Sequence, residues 1–189
     1  MEKPPVILAP GRKPKGRLFR TVVGLPLIAF GCMVFLAFLA MPRPPKESKV
    51  IQNFYNNRTA FEQLRDMLKE DPHLRRVAGW GVETSNPFYL GDASASGFPM
   101  DRYRRYLALL KQAGGDVATR GEGEHCGPSV LVWAWGWAGD TRHMGICWME
   151  ETPTNQISTL DGHDERSQYP GRWVAFKRLD ENWYLWTDF

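Results

Sequence analysis

The stretch VLVWAWGWAGDTRHMGICW, Val130 to Trp148, decides the fold. Val130 to Trp137 is a run of large apolar residues, Gly139-Asp140 is a turn signal, and His143 to Trp148 runs back. Aromatic and β-branched residues suit a pleated, half-buried surface, and a polar break between two such runs marks a hairpin. Side chains alternate across a strand, so Trp133, Trp135 and Trp137 are expected on one face, extended by Leu131. Val130, Val132, Ala134 and Gly136 then form the other face. An indole ring carries a large apolar area and one donor, which suits a core beneath helices, stacking on a sugar or a protein interface. Trp137, at the outer end, is the member expected to reach the surface.

Working outward, Trp173–Arg178 and Trp183–Asp188 flank Asp180-Glu181-Asn182 and read as a second hairpin. Val117 to Arg120 is a short strand. Before it, Pro99 suits a first helical position, Asp101 the first turn and Gly114-Gly115 the exit. Met100, Tyr103, Tyr106, Leu107 and Leu110 give this helix an apolar face, with Arg102, Arg104, Arg105 and Lys111 mostly opposite. Residues 84–98, rich in Ser, Gly, Asn and Asp, read as a loop, and Arg76–Trp80 as a strand. Val50, Phe54, Phe61, Leu64 and Leu68 recur at helical spacing between Lys49 and Glu70, in one helix or two abutting ones. Thr59-x-x-Glu62 suggests a capping box, and Asp71-Pro72 a stop. Helices followed by meandering strands predict an α+β domain over 49–189, with two helices packed on a mainly antiparallel sheet.

This layout, with Tyr-Arg-Arg-Tyr-Leu at 103–107, the Val132–Glu150 hairpin and the closing Asn182-Trp183-Tyr184-Leu185, resembles a group of uncharacterised bacterial exported or membrane-anchored proteins. The resemblance covers residues 50–189. It implies export and the order of the fold, and it implies no activity.

Location is read from Val22 to Met41, twenty residues without a charge. As a helix they span roughly 30 Å, the thickness of a bilayer's hydrocarbon core. Pro26 falls near the first turn, where donors are unpaired in any case. A cleaved signal peptide has a shorter apolar core and small residues before the cut, whereas Phe38 stands at −3 for a cut after Ala40. A lipoprotein signal places its cysteine after the apolar core, whereas nine apolar residues follow Cys32. Lys3, Arg12, Lys13, Lys15, Arg17 and Arg20 precede the segment, so the positive-inside bias favours a cytoplasmic N-terminus. The sequence therefore divides into a disordered basic tail (1–20), a transmembrane helix (21–41), a Pro-rich spacer (42–48) and an extracytoplasmic domain (49–189). The expected location is the cytoplasmic (inner) membrane of a bacterium, in a single pass.

The chain carries a net charge of +3, but the basic excess sits in one place. Residues 1–47 hold eight Lys/Arg against two Glu, and residues 48–189 hold sixteen against nineteen Asp/Glu. The excess marks membrane topology and contact with lipid, and it excludes a nucleic-acid footprint on the domain. The expected partners are the bilayer and an envelope protein or glycan.

Few residues carry chemistry. Trp80, Trp133, Trp135 and Trp137 are the interaction candidates. Cys126 and Cys147 are the domain's only cysteines. They can close a loop of about 22 residues as a disulfide in an oxidising compartment, remain two thiols, or leave one reactive. A cysteine hydrolase would need Cys126 beside His143 or His163, with no nucleophile motif around it. Asp161-Gly162-His163-Asp164-Glu165 and Glu122, Glu124 and His125 fit no metal-site spacing, so neither metal nor cofactor is expected. Asn57-Arg58-Thr59 is a glycosylation acceptor only in a eukaryotic host. The reading is a non-enzymatic binding or interaction domain held outside a membrane, with a peptidoglycan- or glycan-binding module as the main alternative.

Overall fold

The computed structural model describes residues 44–85, 87–121, 126–137, 140–160 and 174–188. Pro44–Phe189 forms one unit, in which three helices pack on an eight-stranded antiparallel sheet. The helices are α1 (Glu47–Asn56), α2 (Arg58–Glu70) and α3 (Met100–Ala113). The strands are β1 (Leu74–Ala78), β2 (Gly81–Ser85), β3 (Phe88–Gly91), β4 (Val117–Thr119), β5 (Ser129–Trp137), β6 (Asp140–Trp148), β7 (Val174–Arg178) and β8 (Trp183–Asp188). Their order in the sheet is β3-β2-β1-β4-β5-β6-β8-β7. Among the described residues no helix is long and apolar enough to cross a membrane, and Val22–Met41 lies outside them.

The first helical stretch is two abutting helices. They break at Asn57, which leaves helical geometry at φ −122°. Its side-chain Nδ2 donates to Asn53 Oδ1 at 2.8 Å and to the Asn53 carbonyl at 3.2 Å. The capping box does not form. Thr59 lies inside α2, and Glu62 is held by Arg58 Nε at 2.9 Å, one turn away. Pro72 ends α2, and the Asp71 carboxylate just before it accepts from Arg102 Nε at 2.6 Å and Tyr106 Oη at 2.8 Å. Burial, then the bond to Asp71, pushes the Tyr106 phenol well above its ordinary value. In α3, Pro99 is the cap residue and not the first helical position. Gly114 takes the left-handed exit at φ 65°, and Asn53 Nδ2 donates to Ala113 O at 2.6 Å, tying α1 to that exit.

Residues 84–98 are not one loop. They contain the end of β2, all of β3 and a short 3-10 turn, Ala93–Ala95. The polar residues of β3's neighbourhood hid a hairpin that is stabilised by pairing with β1 and not by its own composition.

The central hairpin departs from strict alternation. Val130 pairs with Ile146 and Leu131 with Gly145, but Trp133 then pairs with Met144, so Val132 is a bulge. An extra residue flips every later side chain to the opposite face. Leu131 therefore does not extend the row of Trp133 and Trp135. Those two share a face with Val130 and the helices, while Leu131 and Ala134 look the other way.

The main core lies between the helices and one face of the sheet. Phe54, Phe61, Leu64, Leu68 and Tyr106 meet Val77, Val82, Ala118, Val130, Ile146 and Leu185. Phe54 stands 5.3 Å from Phe61 and 5.4 Å from Trp183, in edge and tilted contacts that add to the apolar burial. A charged group, Glu47, enters this side. Glu47, 6% exposed at the start of α1, takes bonds from Lys177 Nζ on β7, the Leu160 N–H and Thr159 Oγ1.

A groove on the helix-free face

The opposite face of the sheet has no helix over it among the described residues. Strand parity fixes what it presents. Reading across paired positions, one row runs Arg76, Thr119, Ser129, Cys147, Tyr184. The next runs Val117, Leu131, Gly145, Trp186, Phe176. A third runs His143, Asp188, Val174. Cys147, Phe176 and Tyr184 form a small second core here, with Trp186 and Val174 packed against it. Beside it opens a groove of about 470 Å³, walled by Val117, Leu131, Val174, Trp186 and Trp80, with Arg76 and His143 among its polar lining. That volume and that mostly apolar wall with few polar groups match a small-molecule site.

His143, hydrogen-bonded to Asp188, is a polar feature of the groove. Asp188 is 2% exposed. Its carboxylate accepts from the His143 N–H at 2.6 Å and meets the imidazole Nδ1 through Oδ2 at 2.9 Å and Oδ1 at 3.0 Å. A buried carboxylate so bonded fixes the ring's orientation. Glu83 plays a comparable part near the rim, buried between Arg75 at 3.1 Å and Arg76 at 3.3 Å.

Gly145 makes room for the Trp186 side chain. A Cβ there would meet Trp186 Nε1 at 2.7 Å and Val130 O at 2.8 Å. The Trp186 indole thus lies directly over the β6 backbone. Its Nε1 is buried and bonds to none of the described residues.

The tryptophans singled out by sequence separate. Trp133 packs into the main core beneath the helices, with its Nε1 buried and bonded to none of the described residues. Trp135 pairs with Arg142 and is half-buried. Trp137 pairs with Asp140, and its side chain lies outside the described residues. Trp80 is 51% exposed and lines the groove. Trp186, Asp188 and Arg76 escaped the sequence reading as site residues, and His143 entered it only as a possible partner of Cys126. A signal for Trp186 existed. Trp183 and Trp186 are three residues apart on one strand, so they must face opposite sides, and only one can belong to the helix-side core.

Cys126 Sγ stands 3.3 Å from Cys147 Sγ, and both are thiols. Burial, then the contact with Cys126, raises the Cys147 thiol well above its ordinary value. Cys126 and His143 line the same groove. Cys126 touches Cys147, which lies four residues from His143 on β6, about 13 Å along a strand. The contact shown for the Cys126 thiol is with Cys147, and the contact shown for the His143 imidazole is with Asp188. His163, the Asp161–Glu165 loop, Glu122, Glu124 and His125 lie outside the described residues. Among the described residues no three His, Cys, Asp or Glu side chains gather as a metal set.

Comparison of the chain with protein families, with curated proteins and with solved structures finds no match to any of them.

Proposed function

We propose that this is a membrane-tethered, non-enzymatic binding domain held outside the cytoplasmic membrane, with the helix-free groove as its ligand site. The observation that carries the reading is the groove itself. Its wall of Val117, Leu131, Val174 and Trp186 suits a flat apolar body, and the His143–Asp188 pair gives a fixed polar feature at one end. The ligand class this fits is an amphipathic small molecule, an aromatic or alicyclic body bearing a hydroxyl or acid group. The uncharged Val22–Met41 segment and its basic N-terminal flank support the tether.

The site is tested by ligand-observed NMR on the full chain in detergent micelles, against a set of phenols and aromatic carboxylic acids. Saturable binding that Leu131→Trp abolishes by filling the groove is expected. Binding that survives Leu131→Trp, or none across the set, would sink the site. The tether is tested separately: the full chain should stay with carbonate-washed membranes, and deletion of residues 1–43 should release it.

Glycan binding is the second reading, and Trp80 favours it. A half-exposed indole beside a groove is the surface on which a sugar ring stacks. Retention of the full chain on purified peptidoglycan, lost in Trp80→Ala, would select this reading over the first.

A further inference from the structure

The groove and a second hollow of about 490 Å³ share the lining residue Cys126. The second hollow includes Lys69, Gly127, Pro128, Trp148 and Glu150. The wall between the two is thus the segment 126–128 that leads into β5. It is seated tightly on β6. The Trp148 N–H donates to Pro128 O at 2.9 Å, and a Cβ at Gly127 would meet Trp148 O at 2.5 Å. This seating brings Cys126 Sγ to 3.3 Å from Cys147 Sγ, across two pieces of chain otherwise joined by hydrogen bonds.

We propose that Cys126 and Cys147 form an intramolecular disulfide by exchange with a disulfide donor, and that the bond locks the wall of the groove to β6. The two thiols have different parts. Cys126 is partly exposed in the groove, and Cys147 is fully buried. An incoming disulfide therefore meets Cys126 first. The Cys126 thiolate attacks one donor sulfur, the donor S–S bond breaks, and the other donor sulfur leaves as a thiolate. Cys147 then loses its proton and attacks the Cys126 sulfur of the mixed disulfide, expelling the second donor thiolate. The two protons lost by the cysteines pass to the two donor thiolates, so the two electrons given up by the cysteine pair reduce the donor to two thiols. The donor is a thiol–disulfide oxidoreductase or a small-molecule disulfide. The inference stands on the positions of the sulfurs and does not depend on which ligand the groove takes.

Oxidised glutathione is the probe. The full chain carries Cys32→Ser, so that only these two thiols remain, and is incubated in micelles with oxidised or reduced glutathione. It is then denatured, alkylated and weighed. Both thiols should become unreactive together after oxidation, with the chain still a monomer on a non-reducing gel. A loop of about 22 residues closed this way should raise the Tm by about 10 °C over the reduced form. Cys147→Ser should stop at a glutathione adduct on Cys126, with no such rise. Full alkylation of both thiols after oxidation would overturn the proposal. So would a link between chains, or a glutathione adduct that persists while Cys147 is present.

Discussion

The two faces of the one sheet are built from the same strands but to different ends. On the covered face, Val77, Val82, Ala118, Val130, Ile146 and Leu185 are buried against three helices, and the charged Glu47 is drawn in with them. On the open face the second core is small, and the row beside it holds a bare backbone at Gly145, a half-buried Trp186 and the His143–Asp188 pair. Burial on the covered face holds the fold. The open face keeps apolar surface within reach of solvent, flanked by one packed indole and the hydrogen-bonded His143–Asp188 pair. The division teaches where stability and binding are separable in this molecule.

The sharpest way to break this comparison is to make the same truncation on both faces. Leu185 is fully buried on the covered face, and Leu131, two strands away, lines the groove. Leu185→Ala should cost about 2–5 kcal/mol, because the helices cannot follow the sheet inward to close the cavity. Leu131→Ala removes the same atoms from a half-open site and should cost less than about 1.5 kcal/mol. Equal midpoint shifts in urea unfolding would show that the open face is part of the core after all.

Glu47 sharpens the comparison through pH. Burial alone would raise its carboxyl, but the bonds from Lys177, the Leu160 N–H and Thr159 outweigh it and hold the carboxyl below its ordinary value. A carboxyl held lower in the folded state stabilises the fold above its unfolded value and loses that contribution as the pH falls through its folded one. Thermal stability should thus drop on acidification below about pH 4.5, the ordinary glutamate value. Glu47→Gln should cost about 1.5–3 kcal/mol at neutral pH, the worth of hydrogen bonds to a charged group, and should flatten the acid limb. A variant as stable as the parent across that range would remove Glu47 from the account.

Gly145→Ala tests how the open face keeps its shape. The added methyl meets both the Trp186 ring and the Val130 carbonyl, and only the ring has room to move. A cost of about 1–3 kcal/mol is expected, with the Trp186 indole pushed into the groove. The readout is a shifted indole N–H resonance together with lost ligand binding. An unchanged resonance would mean that the β6 backbone yields and the ring does not.

Much of the covered face was legible in the sequence. Helical spacing picks out Phe54, Phe61, Leu64 and Leu68, and Gly114 marks the exit of α3, because these features are local. The open face was not, for reasons that are not local. The Val132 bulge exists only in the pairing of β5 with β6, so strict alternation put Leu131 on the wrong side. The β2–β3 hairpin is held by β1, which lies next to it in space but cannot be read from its polar composition. The His143–Asp188 pair joins residues 45 apart that meet only because β6 lies beside β8.

Trp80→Ala carries the smallest expected effect on stability and the most information about function. The side chain is 51% exposed, sits in the turn between β1 and β2, and belongs to neither core. Truncating an exposed residue outside any hydrogen-bonded network shifts stability within about 0.5 kcal/mol. If the groove is the ligand site, the same change removes an aromatic wall. It should weaken binding of an aromatic acid about three- to tenfold, the worth of one ring contact. Paired with Leu185→Ala, the two variants form a crossed design: one lowers the unfolding midpoint and leaves the affinity of the folded fraction intact, the other does the reverse. A Trp80→Ala protein that loses stability and affinity together would place Trp80 in the fold, and the two faces would then not be separable.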